Sequence, residues 1–296
     1  MSFIDLDRCF QHLNLRFTRI VYDTYLYIDF SSIPKIQFEN YFVKSNVLND
    51  YCRQVRLAKL GDWGLKYFHR SIDIEKFVHL RSIKLECFDE ETFDDFTQIL
   101  LKLSHMKCLS SIHIEFAPVL DLPTETLNVL KSLLSLSNLK TYILNNCRCP
   151  IIPEKNENKS NIEKLRLCLR SLSDFSVLSQ CVPKIKSLSM NLRYNDNFQS
   201  SRYPVTLHEL PWLQTLEIRL KDTSFDEFEE VLKQLSNLKK LSFTSTSIDY
   251  INGQRWQHLL SCLPVLKVFR FNVYLHGLSE SLINLQVMCS SFQNNF

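Results

Sequence analysis

Eight histidines, ten cysteines and several adjacent carboxylates are the side chains of this 296-residue chain that could carry chemistry. The histidines (His12, His69, His79, His105, His113, His208, His258 and His276) are scattered, with no H-E-x-x-H and no i, i+4 pair. A zinc-dependent hydrolase needs such a pair to put two imidazoles on one helix face. Cys147-x-Cys149 is the one close cysteine pair, and no CxxC occurs. A structural zinc site would need two such clusters at matched spacing, so the cysteines read as small buried hydrophobes. Asp94 and Asp95, or Glu229 and Glu230, are neighbours in sequence. Neighbours on a helix point in different directions, so these pairs read as solvated faces rather than an acid/base couple. Four glycines (Gly61, Gly64, Gly253 and Gly277) frame no G-x-G-x-x-G, no P-loop and no G-x-S-x-G elbow. Those turns need glycine for close backbone approach. The chain is expected to be non-catalytic, with no cofactor and no metal.

Composition narrows the partners. The 35 basic and 32 acidic residues nearly cancel, at a formal net charge of +3. That balance argues against nucleic acid and against membrane surfaces. No run of about 18 apolar residues is present, and residues 1–20 carry charges throughout, so neither a membrane span nor a signal peptide is expected. Scattered cysteines without a signal peptide place the chain in the cytoplasm or nucleus. The expectation is a protein that is a monomer on its own and binds other proteins.

The elements that would present a binding surface are legible as a period. Apolar residues recur at relative positions 0, +3 and +5 in Leu80/Ile83/Leu85, Leu109/Ile112/Ile114, Leu139/Tyr142/Leu144 and Ile162/Leu165/Leu167. They recur again in Ile185/Leu188/Met190, Leu213/Leu216/Ile218, Leu238/Leu241/Phe243 and Leu266/Phe269/Phe271, with a weaker first copy at Cys52/Val55/Leu57. Positions +3 and +5 share one face of a strand. Between these strands, Phe93/Phe96/Leu100/Leu103, Leu127/Leu130/Leu134, Phe225/Phe228/Leu232/Leu235 and Trp256/Leu260/Leu263 have helical spacing. Ser224-x-x-Glu227 is a capping-box pattern that starts the third. Each element has one apolar face, so successive units must stack to bury it. The expected fold is α/β: a right-handed solenoid over residues 52–296, about nine irregular repeats, with parallel strands inside and helices outside.

This frame resembles the leucine-rich-repeat family, whose consensus is L-x-x-L-x-L-x-x-N/C-x-L. The resemblance covers about residues 52–274. Position +8, Asn or Cys in the family, is Cys147 in one repeat but Leu60, Phe88, Arg170, Arg193 and Lys221 elsewhere. Two connectors, 145–161 and 193–211, are polar, proline-marked and without a helical pattern, and read as solvent-facing insertions.

Residues 1–51 fall outside the period. Leu6, Cys9, Phe10, Leu13, Phe17, Ile20 and Val21 trace one helical face, and Phe38 and Phe42 lie one turn apart in a bridging segment. The run LNLRFTRIVYDTYLY (Leu13–Tyr27) resembles the later part of an F-box, with Arg16 and Phe17 at the family's Arg-Trp pair and Leu26 and Tyr27 at its closing Leu-Trp. The F-box leucine-rich-repeat layout implies a substrate-recognition subunit of a cullin–RING ubiquitin ligase. In it, Phe10, Leu13, Arg16 and Phe17 would face a Skp-family adaptor. The family's opening L-P-x-E helix is missing from this sequence, so adaptor binding is expected to be weak or absent. The alternative is a leucine-rich-repeat scaffold or inhibitor with no ligase role, its N-terminal helices capping the stack.

In either reading the partner would lie on the concave strand face. Position +4 gives Arg56, Lys84, His113, Ile143, Arg166, Ser189, Glu217, Ser242 and Arg270, and position +2 adds Lys164 and Lys240. Arg56, Lys84, His113, Lys164, Arg166, Glu217, Lys240 and Arg270 are the expected partner-binding residues. They form a modest basic row that would speed encounter with acidic partners.

Overall fold

The structure is a computed structural model. It describes residues 26–31, a few positions between 33 and 40, and 52–71, 74–118, 120–151, 160–192, 205–221 and 223–274. The chain packs as two compact units, Met1–Cys147 and Arg148–Phe296. Phe10, Leu13, Arg16 and Phe17 lie outside the described residues.

The N-terminal unit contains β1 (Leu26–Asp29), β2 (Val55–Leu60), α1 (Asp62–Ser71), β3 (Ser82–Cys87), α2 (Phe93–Leu103), β4 (Ser111–Phe116), α3 (Thr124–Ser132) and β5 (Thr141–Asn145). Each strand pairs in parallel with the next. The C-terminal unit contains β6 (Lys164–Leu169), α4 (Leu172–Cys181), β7 (Ser187–Leu192), β8 (Thr215–Leu220), α5 (Phe225–Lys233), β9 (Lys240–Ser245), α6 (Gly253–Ser261) and β10 (Val268–Val273). Its strands are likewise parallel in chain order.

The leucine frame builds one turn over and over. The amide at position 0 donates to the carbonyl three residues back: Leu80 to Phe77 (2.9 Å), Leu139 to Leu136 (3.2 Å), Ile185 to Val182 (3.2 Å) and Leu238 to Leu235 (3.1 Å). The next amide donates to the preceding repeat: Arg81 to Arg56 (2.9 Å), Lys186 to Glu163 (2.8 Å) and Lys267 to Lys239 (2.8 Å). The turn thus closes each unit and its exit hands the chain into register with its neighbour. Side chains at +3 and +5 are buried from β3 to β9. A third inward residue follows at +7, in Cys87, Phe116, Leu169, Leu192, Leu220 and Ser245, all 3% exposed or less. Strand alternation therefore runs two residues beyond the +3/+5 pair.

The helices cover the inward face. Phe96 of α2 meets Phe116 of β4 edge-on at 5.7 Å, and Phe228 of α5 meets Phe243 of β9 at 5.8 Å. Ser224 caps α5 by accepting from the Glu227 amide at 3.2 Å, as the capping-box pattern requires. Several buried hydroxyls are satisfied between layers. The Thr97 and Thr126 hydroxyls meet at 2.7 Å across α2 and α3, and the Tyr142 hydroxyl donates to the Leu130 carbonyl at 3.0 Å. In the helical stripes Thr126 and Leu259 are buried, while Leu127 and Leu260 are only half-buried. The shift is confined to that one position in each, since Leu130, Leu134, Trp256 and Leu263 are buried as the spacing predicts.

Two sequence expectations need correction. The first repeat is framed three residues too early. The register Ala58↔Ile83, Lys59↔Lys84, Leu60↔Leu85 makes Ala58 and Leu60 the inward pair, and Leu57 is 42% exposed. The outward +4 residue of this repeat is therefore Lys59, and Arg56 sits at the irregularity in the β1–β2 register, ahead of the stretch paired with β3. The second correction is within residues 1–51, read as helical. Leu26–Asp29 is a strand that pairs with β2 through Ile28↔Ala58 and Asp29↔Lys59. Leu26 and Ile28 are buried as sheet core. Leu26, matched to the closing part of an F-box, is thus a repeat-core residue.

Candidate protein-binding face

The outward faces of the two strand stacks differ in charge. In the N-terminal unit, register aligns Asp29, Lys59, Lys84, His113 and Ile143 in one row and Glu86, Glu115 and Asn145 in the next. Lys84 and His113 are thus brought together as expected, with Lys59 in the place assigned to Arg56. Their row is not basic in effect. Lys59 pairs with Asp29 (3.8 Å) and Glu86 (3.1 Å), and Lys84 with Glu86 (2.8 Å) and Glu115 (3.0 Å). Nε2 of His113 lies 2.8 Å from Nδ2 of Asn145. Two lysines meet three carboxylates in a self-satisfied lattice.

This lattice sets an acid response. Burial pushes the Glu86 carboxyl up, but hydrogen bonds and charge from Lys84 and Lys59 outweigh it and hold the group below its ordinary value. The hydrogen bond to Glu86 holds Lys84 above its ordinary value, with burial working against it. A depressed Glu stabilises the fold above its unfolded value, about 4.3, and that contribution is lost as pH falls through the folded value. Glu86→Gln is therefore expected to destabilise the chain by about 1–2 kcal/mol at neutral pH. The difference should begin to shrink as pH falls below about 4.3 and be gone once pH is below the lowered folded value, as read from urea midpoints across pH.

In the C-terminal unit the outward rows are Lys164, Ser187, Thr215, Lys240 and Val268; then Arg166, Ser189, Glu217, Ser242 and Arg270; then Cys168, Asn191, Arg219, Thr244 and Asn272. Here the register brings together the expected residues Lys164, Arg166, Glu217, Lys240 and Arg270. Lys164, Arg166, Arg219, Lys240 and Arg270 are exposed, and Glu217 is the one carboxylate. Nη2 of Arg166 reaches Glu217 Oε2 at 3.2 Å, and its Nε donates to Ser189 Oγ at 3.1 Å. Cys168 is buried, with its sulfur 3.8 Å from the Arg148 carbonyl. Sequence reasoning missed Arg219, and on the other face Glu86 and Glu115, because only the +2 and +4 positions were followed. Position +6 carried the signal.

Thiol chemistry is muted. Burial pushes the Cys87 thiol up to about 12, and a protonated, enclosed sulfur is a poor nucleophile. Cys108 and Cys262 are exposed. Iodoacetamide at pH 8 is expected to modify these two in the native chain and to reach Cys87 only after denaturation, read by peptide mass spectrometry. Among the described residues no three or more His, Cys, Asp and Glu side chains are grouped to hold a metal ion. Among them, too, no helix is long and apolar enough to cross a membrane.

Parallel strands in sequential order, a repeated turn and helices over one face define each unit as a stack of the leucine-rich-repeat type. No protein-family model matches the sequence, and neither does any curated protein. Among solved structures, the chain is similar to the leucine-rich repeat-containing protein LegL7 from Legionella pneumophila, at 13% identity over 92% of this chain and 73% of that one, with a TM-score of 0.34. The fold assignment rests on register and burial in this chain rather than on that likeness.

Proposed function

We propose that the chain is a non-catalytic protein-interaction module that docks its partner on the outward strand face of residues 148–296. The observation that carries this reading is the make-up of that face: three aligned rows dominated by short polar side chains and exposed cations, opposite an inner face that is apolar apart from Ser245. A broad polar sheet surface suits extended contact with a protein, where specificity comes from many small complementary groups. To test it, Ser187→Trp and Ser242→Trp are combined. Both sites lie on strands, where Trp is well tolerated, so stability should change by less than about 0.5 kcal/mol per site. Affinity purification from cells should then lose the partner that the unaltered chain recovers. Undiminished recovery by the folded variant would place the docking surface elsewhere.

The finer reading is a substrate receptor of a cullin–RING ubiquitin ligase. It is supported by the resemblance of Leu13–Tyr27 to the later part of an F-box and by the position of that run ahead of most of the repeats. Stoichiometric co-purification of a Skp-family adaptor supports it. Recovery of a partner without the adaptor favours the scaffold or inhibitor reading.

A further inference from the structure

We infer that the partner segment held by the C-terminal unit is acidic, and that one of its carboxylates seats in a hollow at the ends of β7, β8 and β9. This rests on the docking reading above and adds the chemistry of the partner. The hollow is open to solvent, measures roughly 250 Å³ and is lined by Asn191, Arg219, Lys221, Thr244 and Thr246 together with Leu192, Leu220 and Ser245. Its lining holds two cations, an amide and hydroxyls, and no carboxylate. Small-molecule pockets run from about 300 Å³ upward and are mostly apolar. This hollow is smaller, and Arg219 and Lys221 in its lining supply the charge to hold a single Asp or Glu carboxylate.

The rest of the face extends the same preference. From Arg219 it continues to Lys240, Arg270, Arg166 and Lys164 over five strands spaced about 4.8 Å apart. Glu217, the carboxylate among them, is already engaged by Arg166 at 3.2 Å. The contrast with the N-terminal unit is decisive, because there Lys59 and Lys84 are closed off by Asp29, Glu86 and Glu115. Of the two outward strand faces, the C-terminal one therefore carries the excess of cations, five against the single carboxylate of Glu217. Single-stranded nucleic acid is disfavoured as the occupant. It binds by stacking on aromatic side chains, and none of the outward strand positions of this unit is aromatic.

The test uses the full chain and a short fluorescein-labelled polyglutamate peptide, read by anisotropy at two salt concentrations. Binding should weaken as salt rises. The pair Arg219→Glu and Lys221→Glu should lower affinity at least about tenfold. Lys107→Glu with Lys140→Glu makes the same charge change on exposed turn residues of the other unit, and should lower it less than about twofold. Equal losses in the two variants would overturn the inference, as would tighter binding of an oligothymidine of matched length with the same sensitivity to Arg219 and Lys221. If the peptide fails to bind while the Ser187/Ser242 tryptophan variant still loses its cellular partner, the acidic preference falls and the docking reading stands. If that variant also keeps its partner, both fall.

Discussion

Leu216→Asp should cost the chain at least about 4 kcal/mol and abolish the folded C-terminal unit. Leu216 has no exposed surface, and its strand neighbours Leu188 and Leu241 are equally enclosed. A carboxylate there has no partner and cannot reach water, and a buried charge left uncompensated is among the largest single-site penalties known. The informative comparison lies in the first full repeat. Leu57→Asp should change stability by less than about 0.5 kcal/mol, because Leu57 is 42% exposed. Ala58→Asp should be severely destabilising, since Ala58 is 3% exposed and packs inward between Ile28 and Ile83. Thermal melts followed by circular dichroism check all three. A tolerated Ala58→Asp beside a damaging Leu57→Asp would reverse the register of β2.

Trp256→Ala is expected to cost about 3–5 kcal/mol. The indole stacks on Phe243 at 4.7 Å, meets Phe269 at 5.0 Å and Phe225 edge-on at 5.1 Å. Its Nε1–H donates to the Tyr250 carbonyl at 2.8 Å. Removing it opens a cavity within an aromatic cluster that joins α5, α6, β9 and β10, and leaves a buried carbonyl without its donor. Trp256→Phe keeps part of the ring packing and loses the hydrogen bond, so it should cost about 1–3 kcal/mol. Urea denaturation of both variants separates the packing contribution from the polar one. Equal losses would mean that the carbonyl, and not the ring, dominates.

Much of this fold could be read from the leucines, and the places where reading failed have physical causes. From Leu80 to Phe243 the apolar pair at +3 and +5 is large in every repeat, so burial and spacing agree. In the first repeat the inward pair is Ala58 and Leu60, and a small alanine is a weak marker beside the leucine at 57. The eye follows Val55 and Leu57 instead, and that choice carried Arg56 into the expected site in place of Lys59. Strand β1 is only four residues long and follows a run with helical spacing, so it carried no period of its own. The charge of each face was the least legible property. Whether a lysine is neutralised depends on lateral neighbours such as Lys59 and Glu86, 27 positions apart in the chain and 3.1 Å apart in space. Only the register reveals that pairing.

The claim that the C-terminal strand face docks a protein is most directly tested by lysine footprinting. The chain is acetylated briefly, alone and bound to the partner it recovers from cells, and each lysine is quantified by mass spectrometry. Lys164 and Lys240 lie on the outward rows and Lys221 on the hollow, whereas Lys107 and Lys140 lie on exposed turns of the other unit. The account predicts that the first three lose reactivity at least about threefold on binding while the last two are unchanged, as expected for groups covered within an interface. Protection of Lys107 and Lys140 with Lys164, Lys221 and Lys240 still fully reactive would contradict it.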